Sequence, residues 1–179
     1  MLELEIESIR VRQETQQRAV VLKVKDSDLY LPIFVGPFEV EAIRFKLMDV
    51  EVQRPMTHDL LGSVIVDLGA TVESVVVSDL KNDTFYAKIV MDFNGSVVEV
   101  DSRPSDAIAL AVRANVPIFA SENVIDKAAV TLPVNDADDV AKESDSSQQA
   151  TVGEEELEKL SAFTDFIDGL DLGDIGKDQ

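Results

Sequence analysis

MDFNGSVVEVDSRPSDAIALAVRAN, residues 91–115, changes its hydrophobic period half-way along. Asn94-Gly95 is a two-residue hairpin signal, because both residues accept the positive φ of a tight turn, and SVVEV after it reads as a strand. From Arg103-Pro104 onward the period becomes helical. Proline presets the first turn, and DAIALAVRA is apolar on almost every side, which marks a buried helix. A hairpin running straight into a buried helix predicts an α+β fold with a compact mixed β-sheet core and several helices.

The flanking sequence extends this pattern. Leu2, Leu4 and Ile6 alternate, then the phase slips to Ile9 and Val11, which predicts a bulge near Glu7–Ser8. RAVVLKV (18–24) and LYLPIFV (29–35) form a second hairpin with its turn at Asp26–Asp28. Pro32 lacks a ladder donor and should lie at an edge or a bulge. Gly36-Pro37 opens a helix with Val40, Ile43 and Leu47 on one stripe. Thr57 is the expected N-cap of a second helix, with Leu60, Leu61, Val64 and Leu68 inward. TVESVVV (71–77) is a strand, and Asn82-Asp83 turns into another from Phe85 to Met91. PIFA, a short helix in SENVIDKA (121–128) and a strand in AVTLPV (129–134) complete the body. Hairpin, helix, second helix and strand thus occur twice. This order predicts an internal duplication about a pseudo-twofold axis, with Glu41-Ala42-Ile43 matching Asp106-Ala107-Ile108.

Beyond residue 135 the composition shifts. The domain is expected over 1–135, followed by an acidic polar linker over 136–152 and an acidic amphipathic tail helix over 153–179. Thr151 and Glu154 form a capping box, and Leu160, Phe163, Ile167 and Leu170 make an apolar stripe. Residues 153–170 could therefore dock on the body, on a second copy or on a protein partner. Residues 136–179 hold 14 acids against 3 bases, leaving the first 135 residues at −8 of the total −19. Such a body argues against a broad basic footprint for nucleic acid, though not against a local pocket. The absence of cysteine excludes disulfides, thiolate metal sites and a cysteine nucleophile. No run approaches the ~20 apolar residues of a membrane span. The start of the chain lacks a basic, apolar leader. The expectation is a cytoplasmic protein without membrane contact.

Two Arg-Pro segments carry the chemistry: RPMTHDLL (54–61), with the single histidine, and RPSD (103–106). A helix N-terminus with an arginine and a hydroxyl suits a phosphate or carboxylate group. An imidazole in a first helical turn can accept a proton or bind a metal, or simply hydrogen-bond a neighbouring carboxylate. Arg103 and Asp106, three apart, can equally pair with each other or cross-brace Arg54 and Asp59. Glu39, Asp59, Asp101 and Asp106 lie at helix mouths, where converging carboxylates could hold a divalent ion for phosphodiester hydrolysis. The chain contains no HExxH, glycine-rich phosphate loop, GxSxG or zinc-ligand spacing.

Taken together, LPIFVGPFEVEAI, RPMTHDLL, LKNDTFYA and DSRPSDAIALAVR resemble the bifunctional nuclease (BFN) domain family in order and spacing, over about residues 1–135. EKLSAFTDFIDGL is similar to C-terminal extensions of some bacterial members. The resemblance implies a compact α+β fold, self-association (most simply a dimer) and nuclease activity on DNA and RNA. The positions matching its motifs are Glu39, Arg54, Thr57, His58, Asp59, Arg103, Ser105 and Asp106. Pro37-Phe38 before Glu39 and the short DFNGS turn depart from the family pattern.

On that resemblance His58, Asp59 and Asp106 are the catalytic candidates. Arg54, Thr57, Arg103 and Ser105 are the candidates for substrate phosphate, and Glu39, Asp59 and Asp106 for magnesium or manganese. The alternative is a non-enzymatic interaction or regulatory module acting through its surface and acidic tail helix.

Overall fold

Residues 1–12 and 15–131 are described by the computed structural model. The expected linker and tail helix, and the end of the AVTLPV strand, lie outside them. Among the described residues the sequence pattern converts into eight strands and four helices: β1 (Leu2–Val11), β2 (Arg18–Val24), β3 (Leu29–Val35), α1 (Pro37–Leu47), α2 (Thr57–Asp67), β4 (Ala70–Lys81), β5 (Thr84–Phe93), β6 (Ser96–Ser102), α3 (Pro104–Ala114), β7 (Ile118–Ala120), α4 (Glu122–Ala128) and β8 (Val130–Thr131).

The strands form one mixed sheet in the order β6-β5-β4-β7-β1-β2-β3-β8. Two antiparallel meanders, β4–β5–β6 and β1–β2–β3, are joined by the three residues of β7, parallel to β4 and antiparallel to β1. The expected bulge is present, as a register shift between Ile6 and Ser8. Among the described residues Pro32 faces an unpaired edge, because β8 pairs with Leu29 and Tyr30 of β3 and stops short of it. Asn82, Asp83, Asn94 and Gly95 all have positive φ, as tight hairpin turns require. Gly95, at φ +79, holds a backbone conformation in which any side chain is strained. Gly95→Ala should lower stability by about 1 kcal/mol, seen as a lower urea midpoint at unchanged slope.

α3 organises the core. Ala107, Ile108, Ala109, Leu110 and Ala111 are all buried, and small residues on several sides let neighbours approach closely. It packs against α1 and α2 and over β4 and β5. Val20, Leu22, Leu31, Ile33, Ile43, Val75 and Val77 belong to the same continuous core.

Two expectations about helices need correction. α2 buries none of its residues completely, and Leu60 and Val64 are exposed. Leu68 is exposed as well, so of the expected stripe Leu61 alone meets the core, joined there by Ile65. Thr57 is not the cap either: Met56 precedes the helix, and Asp59 accepts from the Met56 amide at 2.8 Å. The sheet does not establish the expected repeat. β4 lies inside the sheet between β5 and β7, whereas its expected counterpart β8 lies at the edge beside β3, and β7 has no counterpart among the described residues of the first half. Among the described residues no helix is long and apolar enough to cross a membrane.

Candidate functional site

Three helices bring acids from the same helical position into one region. Glu39, Asp59 and Asp106 are the third residues of α1, α2 and α3. A carboxylate there is favoured by unpaired first-turn amides and the positive end of the helix dipole. Proline at the first position of α1 and α3 sets the chain direction into each. A Cβ at Gly36 would collide with Glu39 Oε2, so the glycine leaves room for that carboxylate to turn back over its helix.

Arg103, immediately before α3, ties two of these acids together. Its Nε and Nη2 donate to the Asp106 carboxylate at 2.7 and 3.0 Å, and its Nη1 donates to Glu39 Oε1 at 2.9 Å. A guanidinium has five N–H donors. Three are used among the described residues, so two remain there on a side chain that is 65% exposed. His58 Nε2 lies 3.2 Å from Asp106 Oδ1, so the network assigns the ring proton to Nε2, as donor to the carboxylate. Nδ1 is then a bare acceptor, buried and without a partner among the described residues.

Asp59 belongs to a second pair. Arg113, two turns beyond Asp106 on the same face of α3, donates through Nε to Asp59 Oδ1 at 2.7 Å and through Nη1 to the Ala109 carbonyl at 2.8 Å. Its side chain is only 8% exposed. Each end of α3 therefore grips the start of α2, at His58 and at Asp59. This pair also separates two clefts. One, of about 380 Å³, is bordered by the α1–α2 connection, and the other, of about 530 Å³, lies between α2, α3 and β4.

Burial pushes the Asp106 carboxyl upward, but hydrogen bonds from Arg103 and His58, with the Arg103 charge, hold it below the usual carboxylate range. At Asp59 burial likewise raises, and is outweighed by the Met56 amide and the Arg113 hydrogen bond and charge. Both acids are thus more acidic in the folded chain than in the unfolded one. Their stabilisation is complete above the unfolded carboxylate value, about 3.9, and is lost as pH falls through the folded values. Urea midpoints should hold from pH 7 to about 5 and fall steeply below 4. A protein carrying Asp59→Asn and Asp106→Asn should show a shallower fall.

The other expected residues lie apart from this network. Arg54 is exposed and makes no ion pair among the described residues, and Thr57 is exposed at the start of α2. Ser105 is buried, at 6% exposure, and offers little surface to a phosphate. Of the anticipated braces Arg103–Asp106 forms, while Arg103 takes Glu39 and Asp59 takes Arg113. Among the described residues no three of His, Cys, Asp and Glu are placed to hold a metal ion. Arg103 bridges Glu39 and Asp106, and Asp59 is turned to Arg113. That donor set does not fit a resident divalent cation as arranged. Sequence reading missed Arg113, although its seven-residue spacing from Asp106 puts both on one helical face.

Residues 20–133 match the family description Bifunctional nuclease domain. The chain belongs to the bifunctional nuclease domain family. An uncharacterized protein of Mycobacterium tuberculosis (strain ATCC 25618 / H37Rv) is 37% identical over 167 residues, covering 93% of this chain and 95% of that one. Bifunctional nuclease 1 of Oryza sativa subsp. japonica is 28% identical, over 65% of this chain and 36% of its own length. Bifunctional nuclease 2 of Arabidopsis thaliana is 32% identical, over 56% and 32% respectively. The bifunctional nuclease match encloses α1, α2 and α3, and so all of the helix-mouth network.

Proposed function

We propose that this member hydrolyses phosphodiester bonds of DNA and RNA, with its centre where α1, α2 and α3 open toward one another. The carrying observation is Arg103: an exposed guanidinium, oriented by two carboxylates and with two donors unengaged among the described residues. Phosphoryl oxygens gain charge as water attacks phosphorus and the sugar oxygen leaves, and a fixed guanidinium stabilises that charge. Family membership and the plant relatives named bifunctional nucleases point the same way.

In this reading Glu39 and Asp106 hold Arg103. His58 takes the proton of the attacking water on Nδ1, the ring nitrogen that carries no hydrogen, while Nε2–H stays on Asp106; the buried Nδ1 must be uncovered for that water to reach it. Arg54 and Thr57, both exposed, contact the backbone of a longer substrate. Magnesium and manganese enter as added ions, since the carboxylates already face cations. The direct test is cleavage of labelled single-stranded RNA and DNA by purified protein, with either metal or with EDTA. Arg103→Ala should cut about a hundredfold more slowly, the usual loss for one transition-state donor.

A second reading has its own support. Glu39, Asp59 and Asp106 all face a guanidinium, so the network also works as a brace between three helices in a non-enzymatic interaction module. That module predicts no cutting by the wild type under any of the metal conditions.

A further inference from the structure

The 530 Å³ cleft between α2, α3 and β4 is not used by the helix-mouth chemistry, yet His58 borders both. Its walls are largely apolar, from Val66, Val72, Leu110 and Ala114. Arg113 is part of the same lining: more than nine-tenths buried, with Nε and Nη1 engaged and Nη2 without a partner among the described residues. Asp67 and the Thr71 hydroxyl add an acceptor and a group of both kinds. Apolar walls with a few convergent donors and acceptors are the usual make-up of a site for a small planar ligand. Charge narrows the class. Asp59 and Asp67 against one arginine disfavour a phosphate inside the cleft, but leave a neutral ring with a polar edge well served.

We propose that this cleft seats one nucleobase of the substrate, with Arg113 donating to an acceptor on the ring edge, a carbonyl oxygen or a ring nitrogen, while the adjoining phosphodiester lies outside at Arg103. The identity of the ring rests on the nuclease reading above. A base held by its polar edge cannot remain paired, so the chain selects an unpaired nucleotide beside the bond it cuts.

The test uses mononucleotides, which contain no phosphodiester between nucleotides and so report the cleft without turnover. Adenosine and uridine monophosphates, ribose 5-phosphate and inorganic phosphate are titrated into the full chain by calorimetry. At least one nucleotide should bind about tenfold or more tightly than ribose 5-phosphate, equivalent to about 1.4 kcal/mol for the base. Thr71→Trp, at an exposed position of β4, should fill the cleft and cost at least about tenfold in nucleotide affinity at unchanged melting temperature. Val66→Trp, on the α2 side of the lining and 67% exposed, should do the same, so one misfolded variant does not decide the matter. Equal binding of ribose 5-phosphate, no nucleotide binding at millimolar concentration, or full affinity in both folded variants would overturn the proposal. Nucleotide binding without any cleavage would remove the nuclease reading and leave the cleft. Cleavage without base binding would do the reverse.

Discussion

Arg113→Ala is expected to destabilise the domain by about 3 kcal/mol, the low end of what removing one partner of a buried ion pair costs. The guanidinium is only 8% exposed, and its loss strands a carboxylate that is itself two-thirds buried. Asp59 would keep its bond from the Met56 amide but lose the cation that offsets its burial. The Ala109 carbonyl would lose a donor, and the aliphatic stem of the arginine would leave its place beside α2. The effect should be read as a fall in urea midpoint. Removing Asp59 as well should recover part of it, because no uncompensated charge then remains; a double-mutant cycle over Arg113 and Asp59 measures this.

Asp106→Asn should slow cleavage about a hundredfold, as much as removing Arg103 itself, with a stability loss of only about 1.5 kcal/mol. Asparagine keeps an oxygen that can accept from Arg103, so the arginine retains a partner. It loses the charge that both Arg103 and His58 face. His58 then meets either an amide or an oxygen where a carboxylate stood. Its orientation and the proton path through it are no longer fixed.

The strands were legible in the sequence because their signals are local. Asn94-Gly95 and Asn82-Asp83 demand left-handed backbone, and the slip from Ile6 to Ile9 marks the bulge within a single strand. α3 was legible for the same reason, since a helix apolar on most sides has only one place to go. α2 was not. THDLLGSVIVD offers apolar stripes in two adjacent phases, through Leu60 and Val64 or through Leu61 and Ile65. Packing against α3 selects the second.

The site divides in the same manner. Arg103–Asp106 is three residues apart and readable from helical spacing, as is the crowding of acids at helix starts. Glu39–Arg103 spans 64 residues, His58–Asp106 spans 48 and Asp59–Arg113 spans 54. These partners are set by how α1 and α2 lie on α3, which no local pattern encodes. Arg54 illustrates the limit: the same Arg-Pro signal as Arg103, yet exposed and outside the network.

The central claim is that the helix-mouth network is a reaction centre and not only a brace. It is tested most directly by cleavage rates on labelled single-stranded RNA and DNA, for wild type and Asp106→Asn purified side by side and confirmed folded by melting curves. The account predicts cutting by the wild type and a rate about a hundredfold lower in the folded variant. Equal rates, or no cutting by the wild type with magnesium, manganese or EDTA, would contradict it and leave the network as a structural brace.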